Sequence, residues 1–184
     1  GERVRKQDMQ VELGGPSIKE KFEIVRVRPA DQISDGAIEI EGPDIPQMPE
    51  GKAHPIGILV EISGSRVEPD LEGVVERRIH EYSNYIEGFM HLNQRYDIWI
   101  RLSKKAYAKG LNSLRFIGQV MLDLFRNELP IIEKIQITFI TDPDQIKPLY
   151  AEAMQTYEAR DARARGLSDD DVDTFYGCAL CQSF

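Results

Sequence analysis

Tyr96-Asp97-Ile98-Trp99-Ile100-Arg101-Leu102 is the stretch on which the fold turns. Its aromatic and β-branched content suits a strand. A period of two sends Tyr96, Ile98, Ile100 and Leu102 to one side and Asp97, Trp99 and Arg101 to the other. Helical patterns bracket it and further strand candidates lie beyond them, which places it in the interior of a sheet. The single Trp of the chain therefore faces away from one hydrophobic layer. Two explanations fit it: packing against a second layer, or presentation to a ligand.

Earlier in the chain, Ile56-Gly57-Ile58-Leu59-Val60-Glu61-Ile62 is an apolar run expected to be buried on both faces. Leu71, Val74, Val75, Ile79, Tyr82, Ile86 and Phe89 then recur at three and four residues, which predicts a helix over residues 69–88 with Arg77 pairing Glu81. After the Trp99 strand, Asn112 or Ser113 offers a cap for a helix running to about Glu128. Residues 135–140 form a third strand. Asp142-Pro143 caps a last helix that ends at Gly166. Residues 22–28 and 37–41 add short strands, expected as antiparallel edges. The fold class expected is α+β or α/β, a mixed sheet with a central βαβαβ unit covered by helices. Residues 1–20 are expected as an arm or linker from a preceding domain, 21–166 as the α/β domain, and 167–184 as a linker into a further domain.

A chain of 184 residues with 41% apolar and 29% charged residues can bury a real core as one domain or slightly more. Its net charge of -8 argues against a general nucleic-acid binder. No apolar run has the length of a membrane-spanning helix, and Gly1-Glu2-Arg3-Val4-Arg5-Lys6 lacks the hydrophobic segment of a signal peptide. A cytoplasmic location is the expectation.

Chemistry concentrates in two places. Cys178-x-x-Cys181 lets two thiolates reach one metal or iron-sulfur cluster, form a local disulfide, or do neither. The acidic run Asp169-Asp170-Asp171 with Asp173 suits a solvated segment better than a soft metal site. The basic residues Arg77, Arg78, Arg95, Arg101, Lys104, Lys105 and Arg115 surround the Trp99 strand in sequence. Guanidinium forks bind phosphate and an indole stacks on a flat ring, so the set suits an anionic ligand carrying such a ring. Ordinary surface ion pairs explain it equally. His54, His80 and His91 show no metal-binding spacing and are expected to be structural.

The ending Asp173-Thr174-Phe175-Tyr176-Gly177-Cys178-Ala179-Leu180-Cys181-Gln182-Ser183-Phe184 resembles the start of the active-site segment of the acetyl-CoA synthase family, the catalytic subunits of acetyl-CoA decarbonylase/synthase. Met48-Pro49-Glu50-Gly51, Glu76-Arg77-Arg78-Ile79-His80, and Met90-His91-Leu92-Asn93-Gln94-Arg95 leading into Ile98-Trp99-Ile100-Arg101 extend the resemblance over most of residues 20–184. The resemblance implies that 21–166 is a middle domain and that 167–184 begins the domain of a Ni-Ni-[4Fe-4S] A-cluster. It implies that Cys178 ligates the [4Fe-4S] portion and Cys181 bridges it to the proximal nickel. Phe184 would shield the small-ligand side of that nickel as a catalytic-site residue. Trp99 corresponds to a Trp associated with coenzyme A, with Arg77, Arg78, Arg95 and Arg101 as candidate phosphate contacts. The implied reaction joins a corrinoid-bound methyl group to CO and passes the acetyl group to coenzyme A. Carbon monoxide dehydrogenase and a corrinoid iron-sulfur protein are the implied partners. The chain stops before further cysteines, so by itself it is expected to be inactive. The competing expectation is a non-catalytic domain that docks a corrinoid protein or another acidic partner.

Overall fold

The computed structural model describes residues 3–94, 97–166 and 168. In chain order they form β1 (Met9–Gly14), β2 (Lys21–Val27), β3 (Ile38–Glu41), β4 (Ala53–His54), β5 (Ile56–Ser63), α1 (Glu72–Ser83), β6 (Phe89–Gln94), β7 (Asp97–Ser103), α2 (Lys104–Ala108), α3 (Leu114–Glu128), β8 (Lys134–Ile140) and α4 (Pro143–Arg165). The strands make two mixed four-stranded sheets, ordered β4-β1-β7-β6 and β2-β5-β8-β3. This is the mixed α+β architecture that the hydrophobic periods imply.

The Trp99 strand, β7, lies inside its sheet between β1 and β6, antiparallel to both. Its alternation is as expected, with Ile98, Ile100 and Leu102 buried and Trp99 and Arg101 half-buried. The other two central strands, however, belong to the second sheet. There β5 and β8 are direct antiparallel neighbours, while β2 pairs in parallel with β5 and β3 in parallel with β8. The expected pairing senses are thus exchanged. The chain leaves β5, builds the β6–β7 hairpin in the other sheet and returns through α3, so it re-enters beside β5 running the opposite way.

Residues 1–20, expected as an arm, contain a strand inside the first sheet. Val11 faces Leu102, Leu13 faces Ile100, and β4 pairs in parallel on the far side. Met9-Gln10-Val11-Glu12-Leu13 alternates with period two, and Met9, Val11 and Leu13 are buried. The polar look of the segment comes from the residues that point the other way.

One core joins the inward faces of both sheets with α1 and α3. Ile98, Ile100 and Leu102 meet Ile58, Val60 and Ile62 among Val75, Ile79, Ile117, Met121 and Phe125. Each such side chain contributes about 1.5–3 kcal/mol on burial. The opposite face of the second sheet is covered by α4, through Ile146, Ala153 and Tyr157 on Phe22, Ile24 and Ile140.

Two helix ends explain differences from the sequence pattern. α1 stops at Ser83, whose hydroxyl donates to the Ile79 carbonyl at 2.8 Å. Gly88 then takes φ +75°, and a Cβ there would lie 2.5 Å from Ser103 Oγ. Phe89 therefore opens a strand instead of continuing the helical stripe. Within α1, Arg78 and not Arg77 reaches Glu81, at 2.9 Å with three-residue spacing. At α3, Ser113 is the cap, and Asp44 reinforces it by accepting from Leu114 N at 2.8 Å and from Ser113 Oγ at 2.6 Å.

Candidate functional site

The outward face of the β1-β7-β6 ribbon carries the candidate site. Trp99 stands between Gly14 on β1 and Leu92 on β6, and Leu92 is 48% exposed. Glu12 faces Arg101 across the β1–β7 pair. One oxygen of Glu12, Oε2, accepts from Trp99 Nε1 at 2.9 Å and from Arg101 Nε at 2.6 Å. The Arg101 guanidinium lies over the indole, 4.7 Å from its centroid, and Nη1 donates to the Val4 carbonyl at 3.1 Å. Gly15 closes the edge of the indole. It has φ +83°, and a Cβ there would lie 2.8 Å from Trp99 Cδ1. Nearby, Lys21 donates to the Gly15 carbonyl and pairs with Asp97 at 2.7 Å.

Of the arginines expected beside Trp99, Arg101 alone among the described residues is shown against the ring. α1 contributes Val75 and Ile79 to the core that also holds Phe89 and Leu102, so it covers the inward side of the sheet and Trp99 points away from it. Arg77 is exposed on that helix and Arg78 is paired with Glu81. Lys104 pairs with Glu50 at 2.9 Å, Lys105 with Glu87 at 3.5 Å, and Arg115 donates to the Ile38 carbonyl at 2.9 Å. The broad basic set is therefore distributed over separate ion pairs and backbone contacts. Arg95, Cys178, Cys181 and Phe184 lie outside the described residues, as does the acidic run before the cysteines. Among the described residues no group of three or more His, Cys, Asp or Glu side chains is placed to hold a metal ion. No described helix is long and apolar enough to cross a membrane.

A second polar constellation was not legible in the sequence. Glu23 on β2 is fully buried, next to His91 Nε2 at 2.7 Å and Asn93 Nδ2 at 2.8 Å on β6. His91 Nδ1 is buried without a partner among the described residues, which suits the tautomer with its proton on Nε2, donating to Glu23. Tyr157 on α4 donates its hydroxyl to the Glu23 carbonyl. One turn further, Arg160 Nη1 reaches Glu76 Oε1 at 2.6 Å and Oε2 at 2.8 Å, while Nη2 reaches Glu72 at 2.9 Å and the Val25 carbonyl at 3.0 Å. Glu76 and Glu72 also accept the backbone N–H groups of Val25 and Val27. Burial pushes the Glu76 carboxyl up to about 7, against the attraction of Arg160. Burial pulls Arg160 down, but the Glu76 and Glu72 carboxylates hold it above its ordinary value. His54 Nε2 lies 2.9 Å from the Thr141 carbonyl. The His80 side chain lies outside the described set.

Sequence comparison gives these constellations a family. Residues 1–146 match the family model described as the CO dehydrogenase/acetyl-CoA synthase complex beta subunit. Residues 157–184 match one described as the C-terminal part of the ACS/CODH beta subunit. The chain is 53% identical over its whole length to the acetyl-CoA decarbonylase/synthase complex subunit beta 2 of Methanosarcina thermophila, covering 39% of that protein. It is 55% identical to the corresponding beta subunit of Archaeoglobus fulgidus, covering all of this chain and 35% of that protein. The subunit beta 2 of Methanocaldococcus jannaschii is 52% identical, with all of this chain and 38% of that protein covered. The chain thus spans little more than a third of the length of these relatives. It belongs to the family of beta subunits of the CO dehydrogenase/acetyl-CoA synthase complex.

Proposed function

We propose that this chain is the coenzyme A-facing middle portion of an acetyl-CoA synthase. The complete protein would join CO to a methyl group delivered by a corrinoid iron-sulfur protein and pass the acetyl group to coenzyme A, with CO supplied by carbon monoxide dehydrogenase. The observation that carries this reading is the half-buried Trp99 with the Arg101 guanidinium over its ring, on an outward sheet face of a chain from this family.

The chemistry suits the ligand. An indole edge-locked by Glu12 and Gly15 is a rigid surface for a flat base, and guanidinium N–H groups beside it favour an anionic ligand. Coenzyme A brings its own thiol nucleophile, so this portion has to bind and orient and need not supply a nucleophilic side chain. Arg95, two residues before Asp97, belongs to the same reading. Arg77 and Arg78, on the helix behind the sheet, belong to it less directly.

Residues 21–166, extended by β1, would form the middle domain, and 167–184 would begin the domain that bears the metal cluster. Cys178 and Cys181 are the only cysteines of the chain, half of what a four-thiolate iron-sulfur site takes. The residues present therefore do not complete the A-cluster. Cys178 and Cys181 would lend thiolates, and Phe184 an aromatic wall, to a metal-sulfur cluster finished elsewhere in the complete protein, which would supply the metal centre for acetyl assembly. The chain alone is expected to form no acetyl-CoA.

Because Trp99 is the only Trp, its fluorescence reports on the site directly. Titration with coenzyme A is expected to give saturable quenching, weakened about tenfold by Arg101→Met. An unchanged emission across the titration, with binding of a corrinoid protein instead, would replace this reading with that of a docking domain.

A further inference from the structure

Glu12 presents a puzzle that the coenzyme A reading leaves open. A carboxylate beside a proposed anion site opposes the ligand by charge, yet this one is largely buried against the two residues that matter most. Its Oε2 takes the Trp99 indole N–H at 2.9 Å and Arg101 Nε at 2.6 Å together. The Arg101 side chain is only 15% exposed, and Nη1 is engaged by the Val4 carbonyl. Two of the five N–H donors of Arg101 are therefore engaged inside the protein, and they hold the guanidinium carbon 4.7 Å from the indole centroid.

We propose that Glu12 is a positioning residue for the nucleotide-thiol ligand: its single bridging oxygen locks Trp99 and Arg101 into one rigid stack, and Arg101 acts through the indole instead of as the principal phosphate anchor. The proposal rests on the reading of Trp99 as a coenzyme A contact. Fixing an aromatic before the ligand arrives removes an ordering cost from binding. The three groups come from two strands: Glu12 lies 87 residues before Trp99 and 89 before Arg101, so the paired register of β1 and β7 sets the arrangement.

The sign of one substitution tests it. Glu12→Gln removes a negative charge. If Glu12 merely sits near the ligand, coenzyme A binds the variant more tightly; if it positions the stack, coenzyme A binds about tenfold more weakly. Calorimetric titration with coenzyme A and with 3′-dephospho-coenzyme A is expected to show the same loss for both, and the Trp99 emission of the free variant is expected to shift as Nε1 loses a charged acceptor. Arg101→Lys, which keeps the charge but loses the planar stack, is expected to weaken both ligands equally. In a Trp99→Phe background Glu12→Gln should change affinity less than about twofold, because its target is gone. Tighter or unchanged binding by Glu12→Gln, a loss with Arg101→Lys confined to the 3′-phosphorylated ligand, or a full further loss in the Phe background would each overturn the positioning role alone. A wild-type chain that binds neither ligand would overturn the coenzyme A reading and this role together.

Discussion

Two glutamate–arginine pairs in this molecule use the same functional groups in contrasting ways. Glu12 and Arg101 meet across two strands at a sheet face, through one short contact, with the guanidinium carbon over the Trp99 ring. Glu76 and Arg160 meet between α1 and α4, where one guanidinium nitrogen spans both carboxylate oxygens and the other is taken by Glu72 and a backbone carbonyl. The first pair leaves an aromatic surface on display. The second is consumed in holding a helix. The role of each ion pair lies in what its remaining atoms face, since the pairs themselves have similar distances. The pair between α1 and α4 also joins the two family-matched parts: Arg160 lies in residues 157–184 and Glu72 and Glu76 lie in residues 1–146.

Removing the two arginines should separate these roles most strongly. Arg160→Met leaves the buried Glu76 and the half-buried Glu72 without their cation and is expected to cost about 3–5 kcal/mol in urea unfolding, with faster amide exchange along α4. Arg101→Met is expected to cost about 1–2 kcal/mol and to alter Trp99 emission. Equal losses for both would break the contrast.

A smaller and more pointed test uses pH. The Glu76 carboxyl is raised by burial from an ordinary 4.5 to about 7 in the fold. Below 4.5 it is protonated in both folded and unfolded chains, so its favourable contribution is fully present. As pH rises towards 7 the unfolded chain ionises first and that contribution is lost, on the order of 3 kcal/mol in all. Comparing wild type with Glu76→Gln from pH 5 to 8 should show this slope in the wild type and its flattening in the variant. Parallel pH curves would sink the assignment.

The smallest effect belongs to the exposed Lys104–Glu50 pair. Lys104→Ala is expected to change stability by less than about 0.5 kcal/mol, and even that should vanish in molar salt. A larger, salt-resistant loss would show that exposure is a poor guide to the roles of these pairs.

Much of the fold was legible because local rules sufficed. β7, the Ser113 cap and the Asp142-Pro143 helix start follow from period and capping chemistry within a few residues. The division into two sheets was not, because β5 and β7 carry similar alternation and nothing local says which partner each will take. Glu12 was missed although Met9-Gln10-Val11-Glu12-Leu13 alternates as a strand, since the segment's polar half masked its apolar half. Closeness in sequence did not say where Arg77 and Arg78 would sit: they lie on α1, which packs on the inward side of the sheet. The Arg160 network joins residues 84 to 135 positions apart, and no single-chain pattern marks a buried acid.

The interior position of β1 also matters while the chain is being made. At ~5–20 residues per second of synthesis, a strand whose partner lies 89 residues later waits on the order of ten seconds for it. Throughout that interval Val11 and Leu13 have no β7 to cover them. A strand made early and paired late thus needs shelter while the ribosome is still at work.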